Sequence, residues 1–141
     1  MTALLIMVVV GLIAAGAALV VQRGRPAPPT AARGEPPTRL DRADFRSPHA
    51  EWLITVFTSA SCSSCAAVMT ELRGYASADV VVEDVEIGTA PHLHSKYSIE
   101  SVPTAVIADA TGNAKLGFVG PIGNEHRSAL ATTLGLDDPT N

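Results

Sequence analysis

Residues Trp52 to Thr58 read WLITVFT, an unbroken run of apolar and β-branched side chains, and a short loop then leads to Cys62-Ser63-Ser64-Cys65. A run of this kind suits a strand buried on both faces. Beyond it, Ser61 offers an N-cap, and Cys62 to Arg73 has helical spacing with Val68, Met69 and Leu72 as inward positions. Gly74 ends that helix. A buried strand that hands over to a helix, with two thiols at the junction, restricts the chain to an α/β arrangement.

The following residues continue the alternation. Val80 to Ile87 (VVVEDVEI) predicts a second strand, and Pro91 opens a short helix reaching Tyr97. Thr104 to Ala108 predicts a third strand, Asp109 to Asn113 a turn, and Lys115 to Val119 a hairpin strand pairing back. Asn124 is placed to cap a last helix that runs to Leu134 and ends at Gly135. Ahead of Trp52, Thr38–Leu40 predicts a first strand and Asp41–Arg46 a brief helix. The order β-α-β-α-β-α-β-β-α describes an α/β domain around a central mixed sheet.

Upstream, Ala3 to Val21 contains no charged or strongly polar side chain. As a helix it would span roughly 28 Å, enough for a hydrocarbon core. A cleavable signal peptide would want a basic region first and a shorter core. Nothing basic precedes Ala3 except the amino terminus, so residues 1–22 are expected to be an uncleaved transmembrane anchor. Residues 23–37, with Pro26, Pro28, Pro29, Pro36 and Pro37, form an expected extended linker. The domain proper is expected over 38–137, with a tail at 138–141. Arg23, Arg25, Arg33 and Arg39 follow the apolar run and no Lys or Arg precedes it. The positive-inside rule then puts the domain on the cytoplasmic face of the cell membrane; an extracytoplasmic domain is the alternative.

The chain has only two cysteines in 141 residues. That is too few for a disulfide framework, and closing so short a loop removes little unfolded-chain entropy. The spacing suits redox chemistry or half of a metal site. Cys62 at a helix start would sit among unpaired amides and the positive end of the helix dipole, which favour thiolate. Cys65, one turn on and more covered, would resolve the mixed disulfide. The rival reading is a copper or zinc delivery module that recruits His92 and His94, but their i,i+2 spacing turns the rings apart on a helix. No metal and no cofactor is therefore expected. A formal net charge of −4, without a basic run in the folded part, gives no reason to expect a nucleic-acid partner.

Three separated stretches resemble the thioredoxin superfamily, specifically thioredoxins and the small membrane-tethered thioredoxin-like proteins of bacteria. They are VFTSASCSSC (Val56 to Cys65), KYSIESVPT (Lys96 to Thr104) and Gly117-Phe118-Val119-Gly120. The resemblance covers about Thr38 to Leu136. It implies a three-layer α/β/α domain in which Pro103 is a cis-proline stacked across from Cys62, hindering a metal ion. It also implies that Val102 offers its backbone N–H and C=O to an extended substrate segment, a small β-augmentation.

The departures are specific. Thioredoxins carry Trp-Cys-Gly-Pro-Cys, whereas Ser61 and Ser64 stand at the Trp and Pro positions here. Val56 occupies the place of the family's buried aspartate, and Asp84 that of a nearby lysine. Asp84 is thus a candidate proton relay for Cys65, acting through water; its plain alternative is a solvated carboxylate beside Glu83 and Glu86. The expected protein is a monomeric, membrane-tethered thiol–disulfide oxidoreductase. It would exchange disulfides with protein substrates as a reductase, fed by an unidentified electron donor.

Overall fold

The computed structural model describes residues 34–136. The expected anchor, the linker up to residue 33 and the tail lie outside the described residues. Among the described residues no helix is long and apolar enough to cross a membrane.

The chain builds strands β1 (Trp52–Thr58), β2 (Val80–Glu86), β3 (Thr104–Ala108) and β4 (Ala114–Val119), with helices α1 (Cys65–Arg73), α2 (Pro91–Lys96) and α3 (Asn124–Leu134). The sheet order is β2-β1-β3-β4. β1 runs parallel to β2 and antiparallel to β3, and β3 pairs antiparallel with β4, so the sheet is mixed as expected.

Side chains alternate across each strand, and the two faces collect separate cores. Ile54, Val56, Ala105 and Ile107 meet Val68, Met69 and Leu72 of α1 and Leu130 of α3. On the other face Leu53, Phe57, Val85 and Val106 meet Leu93 of α2 with Leu40 and Phe45. These are the three layers. Both central strands are buried through most of their length, which explains why they read as continuous apolar runs.

Thr55 is the exception within β1. It is fully buried and its hydroxyl has no hydrogen-bond partner. Thr55→Val removes that orphan at nearly constant shape and should stabilise the domain by about 1 kcal/mol. Urea unfolding measures this directly, and a loss of stability would contradict it.

Three local expectations need correction. The first strand is reduced to a single bridge between Arg39 and Asn113, because Pro36 and Pro37 cannot donate to a ladder. Pro36 instead lies over Gly117, where a Cβ would come within 2.7 Å of its ring. The brief helix is a 3-10 turn, Arg42–Asp44, capped by Asp41, whose carboxylate accepts the Ala43 N–H at 3.0 Å. In α3, Gly123 rather than Asn124 is the N-cap residue. There His126 Nδ1 accepts the Gly123 N–H at 3.0 Å while its ring stacks on Phe118.

The β3–β4 turn forms where expected. Asp109 Oδ1 accepts from the N–H groups of Thr111 and Asn113, and Lys115 pairs with its other oxygen. The Thr111 hydroxyl first, and then Lys115 and the two amides against the cost of burial, hold the Asp109 carboxyl well below the usual carboxylate range. Gly112 takes φ +84° in this turn, and a Cβ there would run into the Leu40 carbonyl oxygen.

Candidate active site

β1 ends at Thr58, and residues 59–64 form turns before α1. The helix begins at Cys65 and not at Cys62; Ser64 precedes it without a side-chain cap, and Ser61 is not the cap. The first helical hydrogen bond is Val68 N–H to Ser64 O, so the amides without a helical partner belong to residues 65–67. Cys62 lies one turn ahead of them, its own N–H donating to Ser59 O at 3.0 Å. The local reason is the run of serines, whose hydroxyls compete for nearby backbone and side-chain partners. Ser59 Oγ, for example, lies 3.0 Å from Ser61 Oγ.

Cys62 and Cys65 are joined as a disulfide, with their Cα atoms 5.5 Å apart. The two sulfurs differ in access. Cys62 is half-buried and its Sγ lies 3.8 Å from Ser64 Oγ, whereas Cys65 is only 4% exposed. A partner can reach the first sulfur while the second stays behind it.

Both cysteines border a cleft of about 350 Å³, with Thr58, Ala66, Met69, Arg73, Asp84 and Glu86 among its walls. The strand register accounts for the acidic side. Val56 pairs with Asp84 and Thr58 with Glu86, so these four share one face of the sheet. Asp84 is exposed and accepts the Thr58 hydroxyl at 2.5 Å. Val56 is fully buried in the apolar core, so no carboxylate stands at that position. The sequence alone assigns Glu86 no role. Its Oε1 accepts the Ala60 N–H at 3.2 Å and its Oε2 the Thr89 N–H at 3.1 Å. It ties the cysteine loop to the turn before α2. Its period-two relation to Asp84 on a strand leading to the cysteine end was the available signal.

The Val102–Pro103 peptide bond is cis. Phe57 pairs with Thr104, so the register brings the cis-proline to the end of β1 from which the chain departs for Cys62. The Pro103 carbonyl accepts the Gly120 N–H at 2.7 Å. Val102 is half-buried, with its side chain against the second core.

The histidines of the metal reading lie elsewhere. His94 is 5% exposed, and its Nε2 donates to Val85 O at 2.8 Å. Its ring meets Phe57 edge-on, in the core on the opposite face of the sheet from α1. His92 is exposed on α2. Among the described residues no three His, Cys, Asp or Glu side chains gather as a metal-binding group.

No known protein family's sequence model matches the chain, and no curated protein matches it. Solved structures do. A mutant thioredoxin from Halobacterium salinarum NRC-1 is 20% identical, with TM-score 0.50 over 64% of this chain and 80% of that one. A designed protein is 27% identical, with TM-score 0.53 over 62% and 85% of the two chains. A malarial protein is 17% identical, with TM-score 0.51 over 59% and 96%. The described residues therefore have a thioredoxin-like α/β fold, and a C-x-x-C disulfide sits at the carboxyl end of its first strand.

Proposed function

We propose that this chain is a membrane-tethered thiol–disulfide oxidoreductase acting on protein substrates as a reductase. The observation that carries the reading is the Cys62–Cys65 pair, with one sulfur reachable from a cleft and the other covered. In the dithiol state, the Cys62 thiolate attacks a substrate disulfide, forms a mixed disulfide and expels the first substrate thiolate. The Cys65 thiol then loses its proton and attacks the Cys62 sulfur. That restores the Cys62–Cys65 bond and releases the second substrate thiolate. Two electrons pass to the substrate, and an electron donor must return them.

Val102 is the residue we assign to substrate binding, its backbone pairing with an extended segment beside the cis Pro103. Residues 3–21 supply the tether. The arginines that follow them favour a cytoplasmic domain, with the extracytoplasmic face as the alternative. The protein acts as a monomer and without a cofactor. The full-length protein in detergent should accelerate reduction of insulin disulfides by dithiothreitol; no acceleration would sink the reading.

Asp84 is the proposed proton acceptor for Cys65, through water, in the same cleft. Asp84→Asn should slow resolution of a trapped mixed disulfide by roughly 10²-fold and change its pH dependence. An unchanged pH profile would leave Asp84 a solvated carboxylate.

A further inference from the structure

One face of β2 changes character along its length. Val80 and Val82 pack with the first core, and the next two side chains on that face are Asp84 and Glu86. Both carboxylates border the cleft that holds the cysteines, and Arg73 on α1 is the one cationic side chain among the cleft's lining residues. The Gly88 amide first, and then those of Ala60 and Thr89 against the cost of burial, hold the Glu86 carboxyl below its usual range, so it is charged at neutral pH. Asp84 is held in place by the Thr58 hydroxyl. A thiolate at Cys62 must therefore form in a cleft carrying two negative charges and one positive charge.

Like charge disfavours the thiolate, and at a pH where Cys62 ionises it disfavours the dithiol state as well, whereas the neutral disulfide does not feel that cost. We propose that Asp84 and Glu86 set the redox balance of the Cys62–Cys65 couple, biasing it toward the disulfide so that the dithiol form donates electrons. This deepens the oxidoreductase reading and rests on it. Each turnover moves two electrons from the reduced pair to a substrate disulfide, which becomes two thiols, one proton coming from Cys65 and the other from solvent where Cys62 is already ionised. The direction suits substrates whose disulfides have a higher potential than this pair. A proton relay at Asp84 alters rates alone; the charges alter the equilibrium.

The test equilibrates full-length protein in detergent with mixtures of reduced and oxidised glutathione at low ionic strength and about pH 9.5, above the ordinary thiol pKa, and reads the thiol state by alkylation and mass spectrometry. Asp84→Asn and Glu86→Gln should each move the equilibrium toward dithiol by about threefold, and the double variant by about tenfold. Tenfold corresponds to ~30 mV less negative for this two-electron couple. Glu86→Asp, which keeps the charge, should stay near the parent, and Arg73→Gln should shift the opposite way. Salt at about 1 M should shrink all these differences. An unchanged equilibrium in the double variant, or a shift toward disulfide, overturns the inference while leaving the oxidoreductase reading intact. If the parent's cysteines do not exchange with glutathione at all, the oxidoreductase reading fails and this inference with it.

Discussion

Cys62→Ser should abolish the proposed disulfide exchange, lowering the rate by at least about 10³-fold, because no other thiol remains that can reach a substrate. Cys65→Ser gives a different outcome. The first attack still occurs, but nothing displaces the bound substrate, and a mixed disulfide accumulates on Cys62. The contrast follows from access, since Cys65 is 4% exposed and Cys62 lies half-open at the cleft. Non-reducing electrophoresis with mass spectrometry of the adduct distinguishes the two variants. Adducts on Cys65 in the Cys62→Ser protein, at a rate matching the converse, would show that the assigned roles are wrong.

Arg42→Ala should destabilise the domain by about 3 kcal/mol, lowering Tm by roughly 10–20 °C. The Arg42 side chain is nearly buried, and its guanidinium donates to the carbonyls of Asp109, Ser47 and Ala50 at 2.7, 3.1 and 2.8 Å. It stitches the loop before β1 to the end of β3, where backbone acceptors would otherwise be stranded. Burial pulls its pKa down, with Asp109 and Glu83 pulling it back up. Arg42→Lys keeps the charge but supplies a point donor for a forked one, so it should recover only part of the loss. Thermal unfolding of the three proteins measures the series; equal Tm values would sink the assignment.

The strands and helices were legible because burial wrote itself into the sequence. WLITVFT and TAVIA have no polar break at their centres apart from Thr55, and both are central strands. Asp109, Gly112 and Asn113 marked their turn by side-chain bonding and a positive φ that glycine tolerates. The start of α1 is not legible in the sequence: Ser61 has the character of a cap, but the Ser59 and Ser61 hydroxyls lie against each other in the loop and the helix begins at Cys65. The cysteines were evident from spacing, but Glu86 was not. Its period-two relation to Asp84 puts it on the same face, but its bond to a loop amide depends on the β1–β2 register, which that spacing does not encode. Arg42 was missed for a similar reason: its three acceptors are scattered between positions 47 and 109.

His94 leads from one side of the sheet to the other. Its ring lies in the core away from the cysteines, yet the carbonyl it holds belongs to Val85, the residue between Asp84 and Glu86. The pitch of the acidic wall is thus fixed in part by a side chain that never faces the cleft. A helix of six residues, α2, becomes a handle on the sulfur chemistry. Repacking around that imidazole would retune the thiols through a single peptide group, leaving every residue of the cleft as it is.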